Sequence, residues 1–164
     1  MNSWHRLTRG LTIPSSGPAF GSPLKSNVRR RRIPLMSTSF PIDREEFLRA
    51  LATQLPEIAA KITDIESGLL HPEIAVVSQA THEAIEAQDW QAVATHFSFI
   101  TEVFAEGTEA VKNAVCVSYL ENVFLGETSV NHESARSMLP PILATALAEL
   151  ENHFEKLSRA KPDA

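Results

Sequence analysis

Acidic residues are missing from the first 42 positions of this 164-residue chain, and all 20 Asp and Glu lie at or beyond Asp43. Cysteine is nearly absent too: Cys116 stands alone, which excludes an internal disulfide framework, a zinc ribbon and a cysteine-ligated cluster. No secretory h-region is visible, and the lone thiol suits a reducing, cytoplasmic setting. The longest apolar runs, such as Ile74 to Val77 and Ala114 to Val117, are far short of the roughly 18 residues of a membrane span. A membrane partner is therefore not expected. No stretch of five residues alternates at period two with β-branched enrichment, so no sheet is expected either. His-Glu-x-x-His, a phosphate loop, Gly-x-Ser-x-Gly and Cys-x-x-Cys do not occur, and no catalytic residue is assigned.

The missing acids divide the chain. Arg6, Arg9, Lys25 and the run Arg29, Arg30, Arg31, Arg32 precede the first acid, so the remainder has 8 bases against 20 acids, a formal charge of −12. Residues 1–42 also carry Pro14, Pro18, Pro23, Pro34 and Pro41 with scattered Gly and Ser, which stop any helical or strand period from propagating. A disordered basic leader is the expectation. It could be a transit peptide, although its prolines spoil the amphipathic helix such a signal needs. It could be a nucleic-acid tail acting through Arg29–Arg32. The favoured reading is an over-extended start, with Met36 opening the native chain.

From Asp43 the periodicity is helical. Asp43 with Glu46 forms a capping box, and Phe47, Leu48, Leu51 and Leu55 supply the first apolar stripe. Pro56 opens a second helix bearing Ile58, Ile62 and Ile65, which Gly68 ends. Pro72 opens a third, with Ile74, Val76, Val77, Ala80, Thr81, Ala84 and Ile85 on its inner arc and Ser78, Gln79, His82, Glu83 and Glu86 outside. Asp89 caps a fourth helix after a connection short enough to make an antiparallel hairpin. Trp90, Val93, Phe97, Ile100 and Phe104 form its seam, and Phe99 lies on the opposite side, covered by a helix or part of a contact patch. After Gly107 and Thr108 comes a broadly apolar fifth helix, Glu109 to Leu125, placed in the middle of the domain. A short helix from His132 to Met138 and a last one after Pro140 and Pro141, carrying Leu143, Leu147, Leu150, Phe154 and Leu157, complete the pattern. The expected fold is all-α, a compact bundle of about six antiparallel helices over residues 43–158, with a polar tail at 159–164. A tetratricopeptide-like solenoid is disfavoured because no second copy recurs at a fixed period.

The candidate binding residues are His71, His96, Asn113, Tyr119 and Glu121. Asn113 shares the calculated arc of Val117, Leu120 and Phe124, and a buried amide must be hydrogen-bonded. It either ties a neighbouring element to the central helix or lines a pocket with Tyr119 and Glu121. His96 falls between Ile100 and Val103, half-buried and bonded to a carbonyl, with ligand contact as the alternative. His71, before Pro72, is a loop or staple residue. Cys116 reads as packing, since no His or Lys is expected beside it to lower its pKa. His82 with Glu86 and Glu149 with His153 are read as solvated ion pairs one turn apart. No metal and no cofactor is expected.

Leu70-His71-Pro72-Glu73, Ala84 to Trp90, Asn113-Ala-Val-Cys-Val-Ser-Tyr-Leu-Glu121 and Leu139-Pro140-Pro141 resemble a family of small all-helical bacterial domains of unknown function. The resemblance covers about Phe47 to Phe154. It implies the fold and a cytoplasmic compartment, and supplies no reaction. Gln88 stands where the family pattern would place Gly before Asp89. The leading expectation for function is a non-enzymatic helical module, an adaptor, regulator or immunity-type inhibitor, binding another protein with a basic surface. The alternatives are a small-molecule or hydrolytic pocket around Asn113, Tyr119 and Glu121, and nucleic-acid contact through Arg29–Arg32, which the acidic body disfavours.

Overall fold

The computed structural model describes residues 41–160. Among them the chain is all-α, and its one extended pairing is an isolated bridge between Ile42 and Gly107. The elements are α1 (Arg44–Gln54), α2 (Pro56–Ala59), α3 (Leu70–Glu86), α4 (Trp90–Glu106), α5 (Glu109–Ala114), a π-helical segment (Val115–Leu120), α6 (Glu121–Phe124), α7 (Val130–Ser137) and α8 (Pro141–Ala160). Residues 1–40 of the leader, with the Arg29–Arg32 run and Met36, lie outside the described residues, as does the end of the polar tail.

Four helix starts share one device. Asp43, Asp89, Thr108 and Ser129 each accept a hydrogen bond from the backbone N–H three residues on, at Glu46, Ala92, Val111 and His132. Each such cap stabilises by about 1 kcal/mol. The reciprocal half of the capping box does not form, because the Glu46 carboxylate takes the Arg49 guanidinium instead. Ile42, assigned to the leader above, is a core residue whose N–H donates to the Glu106 carbonyl at 2.8 Å and whose carbonyl accepts from Thr108 at 2.9 Å.

Helix α3 is the hub, touching α2, α4, α5, the π segment, α6 and α7. Most of its inner arc is as expected, with Ile74, Val77, Ala80, Thr81, Ala84 and Ile85 buried, but Val76 is only half-buried and Ser78, expected outside, is buried and donates to the Ala75 carbonyl at 2.8 Å. Helix α4 is apolar on two sides. Val93, Phe97 and Ile100 form the expected seam, while Phe99 is covered, its ring 6.0 Å from that of Phe47 on α1. Phe99 is therefore not a contact patch.

The second helix is much shorter than expected. It stops at Ala59, and Ile65 is 83% exposed. Thr63 explains this locally: its N–H and hydroxyl both donate to the Glu66 carboxylate, a side-chain closure that competes with helix propagation.

The central helix forms at 109–124 but changes gear in the middle. In the π segment the chain closes i→i−5 bonds, as from Glu121 N–H to the Cys116 carbonyl. A regular wheel puts Asn113, Val117, Leu120 and Phe124 on one arc. The wider turn breaks that phase, so Leu120 and Phe124 are buried while Asn113 and Val117 face solvent.

Candidate functional site

One face of α3 carries a polar stripe at helical spacing: His71, Ala75, Ser78 and Gln79, His82, Glu86. Read from sequence, Ser78, Gln79, His82 and Glu86 belong to a solvated side and His71 to a loop or staple. In the fold it meets the π segment, α6 and α7, and it floors an open groove of about 430 Å³ lined by Ala75, Ser78, Gln79, His82 and Asn122.

At one end His71, the second residue of α3 and exposed, places Nδ1 2.7 Å from the hydroxyl of Ser118 in the π segment. The Ser118 carbonyl accepts from Asn122 Nδ2 at 2.9 Å. A serine within reach of an imidazole invites comparison with a nucleophile and its base. Ser118, however, sits in mid-helix, where backbone N–H groups are committed to helical bonds and form no oxyanion hole. The pair anchors the start of α3 to the π segment.

At the other end α7 brings in His132. Its side chain is 2% exposed, with Nε2 3.3 Å from His82 Nδ1 and ring centroids 4.8 Å apart. Around Nδ1 stand three oxygens: Ser129 Oγ at 2.9 Å, Glu86 Oε1 at 3.5 Å and Glu127 Oε2 at 3.9 Å. They hold the ring proton on Nδ1 and turn the Nε2 lone pair toward His82. His82, Glu86 and His132 each offer one donor atom, all within 4.8 Å of one another. The expected His82–Glu86 pair is thus replaced by a three-residue cluster. Arg136 keeps α7 in place, donating to Glu151 at 2.5 Å and the Phe124 carbonyl at 3.4 Å while lying over the Phe124 ring.

Beneath the stripe is a second polar network, fully enclosed. Thr81, on the inner face of α3, has one proton and two lone pairs for three neighbours. The Val77 carbonyl, 2.9 Å away, can only accept, so Thr81 donates there. Tyr119 Oη at 3.1 Å and His96 Nδ1 at 3.2 Å must then donate to Thr81. His96 is therefore the neutral Nδ1–H tautomer, in keeping with a pKa that burial lowers against the opposing pull of Asp89. Burial raises the Tyr119 phenol well above its ordinary range. Neither group is placed to act on a ligand.

Of the five residues singled out from sequence, His96 and Tyr119 meet through Thr81, and His71 meets Ser118. Asn113 is exposed, not buried, and Glu121 is half-buried. No hydrogen bond joins either of them to that network. His96 bonds a hydroxyl where a carbonyl was expected. Cys116 is half-buried, its thiol pKa raised by burial and then by Glu149. His153 packs edge-on against Phe154. His132 was missed, although Ser129 three residues before it is an N-cap signal that would have placed it in a helical first turn.

Fold and groove define a small all-helical domain with a polar cleft along α3. The chain matches a family described as a domain of unknown function, DUF7674, over residues 48–155, and it belongs to that family. Neither the curated proteins nor the solved structures contain a match. Among the described residues no helix is long and apolar enough to cross a membrane.

Proposed function

We propose that this is a non-enzymatic helical module of the bacterial cytoplasm that binds another protein bearing a basic surface, as an adaptor, regulator or immunity-type inhibitor. One observation carries the reading. Residues 41–160 hold 19 acids against seven bases, and six of those bases are already consumed by carboxylates of the same chain: Arg44, Arg49, Lys61, Lys112, Arg136 and Arg159. The domain neutralises its own cations and leaves its surplus carboxylates to an outside partner. Such a surface speeds encounter with a positive patch and repels wrong partners. The raised Cys116 thiol and the mid-helix Ser118 add no nucleophile to set against it. Capture from native cytoplasm on the immobilised full chain tests the proposal. A stoichiometric protein partner released by moderate salt is expected. Recovery of no stoichiometric partner, or of one indifferent to salt, counts against it.

The groove favours a second reading, a small polar molecule held by Ser78, Gln79, His82 and Asn122. This moves the pocket away from Asn113, Tyr119 and Glu121. A ligand whose affinity survives Asn122→Ala and Ser78→Val would not be in the groove.

A further inference from the structure

We propose that His82, His132 and Glu86 form a binding site for one divalent transition ion of the zinc class. The spacing comes first. Two nitrogens each about 2.0–2.1 Å from a tetrahedral ion are about 3.3–3.4 Å apart, and His82 Nδ1 stands 3.3 Å from His132 Nε2. The two imidazoles already span one edge of the coordination tetrahedron.

Protonation supports the same assignment. Ser129, Glu86 and Glu127 surround His132 Nδ1, which leaves Nε2 as a lone-pair donor. This is the outer support that orients metal-ligating histidines and raises their basicity. Between the two rings a single proton on His82 Nδ1 makes the contact without an ion. An ion entering there takes both lone pairs, and the half-buried His82 ring keeps its proton on Nε2.

Glu86 lies one turn beyond His82 on α3, and its side chain is 53% exposed. It is free to swing from His132 Nδ1 to the ion, while Ser129 and Glu127 keep that nitrogen's proton partnered. Two imidazoles and a carboxylate select ions of the zinc, copper and nickel group over magnesium or calcium, which take oxygen donors. A fourth position is left for water or for a group arriving along the groove, which shares His82. The site joins α3 to α7, elements 50 residues apart at His82 and His132, so an ion would also pin α7 to the hub.

Zinc chloride titrated calorimetrically into metal-free full-length protein, with cobalt(II) absorption as a second readout, tests the assignment. One ion per chain, tetrahedral cobalt bands and a zinc-dependent rise in Tm are expected. Glu86→Gln should weaken binding by about 10-fold or more, and His82→Gln should remove it. His132→Ala should do the same, but His132 is buried and its loss also destabilises the fold; His82→Gln and Glu86→Gln, at less buried positions of α3, keep the test decisive. His153→Ala, on α8 and outside the three-residue cluster, should bind as wild type. Absence of saturable binding, or binding that survives His82→Gln, or that His153→Ala removes, overturns the proposal.

Discussion

Arg44 holds Glu73 by two hydrogen bonds, Nε to Oε2 at 2.8 Å and Nη2 to Oε1 at 2.5 Å, across 29 residues of chain. Glu73 is fully buried and also accepts from the Gly68 N–H at 2.9 Å. One carboxylate therefore ties the first turn of α1, the end of the 60–69 connection and the first turn of α3. Glu73→Ala should cost about 3 kcal/mol in urea unfolding. Arg44→Ala should be worse than Arg44→Lys, because lysine keeps the charge and loses only the two-pronged geometry. Equal stability of the two Arg44 variants would show that charge without the fork adds nothing, and an Arg44→Lys variant as stable as wild type would show that the fork adds nothing.

His96 makes stability depend on pH. Burial holds its imidazole below the ordinary 6.5, so the unfolded chain takes up that proton first. The contribution of His96 is therefore complete above 6.5 and is lost as pH falls from there toward the folded-state pKa. His96→Gln should flatten this part of a Tm-against-pH curve. Tyr119→Phe removes one donor to Thr81 and should cost about 1 kcal/mol without changing the pH profile. A wild-type curve flat between pH 7 and 5 would contradict the assignment.

Gln88 occupies the left-handed region at φ 56°. It ends α3 in a Schellman arrangement, with Asp89 N–H bonded to the Ala84 carbonyl at 2.9 Å and Gln88 N–H to that of Ile85 at 3.0 Å. A side chain there costs about 1 kcal/mol. Gln88→Gly should raise stability by about 0.5–1 kcal/mol, even though it gives up the 3.3 Å bond from Gln88 Nε2 to Asn131. A lower Tm for this variant would mean that the link to α7 outweighs the strain.

Gly107 is required by space rather than by its dihedrals. A Cβ at this position would lie 2.5 Å from the Val103 carbonyl oxygen and 2.9 Å from Val111 Cγ1. Gly107→Ala should destabilise by about 1–3 kcal/mol and should loosen the clip between Ile42 and residues 106–108. Hydrogen exchange at the Ile42 amide, which donates to Glu106, reads that loosening directly.

The local signals were legible because they are short-range chemistry. The Asp43 and Asp89 caps, the Gly107–Thr108 stop and start, and the inner arc of α3 follow from residues within one or two turns. The family pattern made Gln88 conspicuous, and its backbone shows why glycine would be easier there. Asn113 was misplaced for an equally physical reason. A wheel at 100° per residue assumes unbroken i→i−4 bonding, and the π segment violates that assumption midway along the helix.

By itself, then, the sequence determined an all-helical acidic domain, where most of its helices begin, and the family to which it belongs. Tertiary structure alone decided which polar residues meet. Capping and amphipathic periodicity act between near neighbours, whereas Arg44–Glu73, Thr81–Tyr119 and His82–His132 join positions 29, 38 and 50 residues apart. Only packing α1, the π segment and α7 against α3 creates those contacts, and with them the groove and the paired histidines.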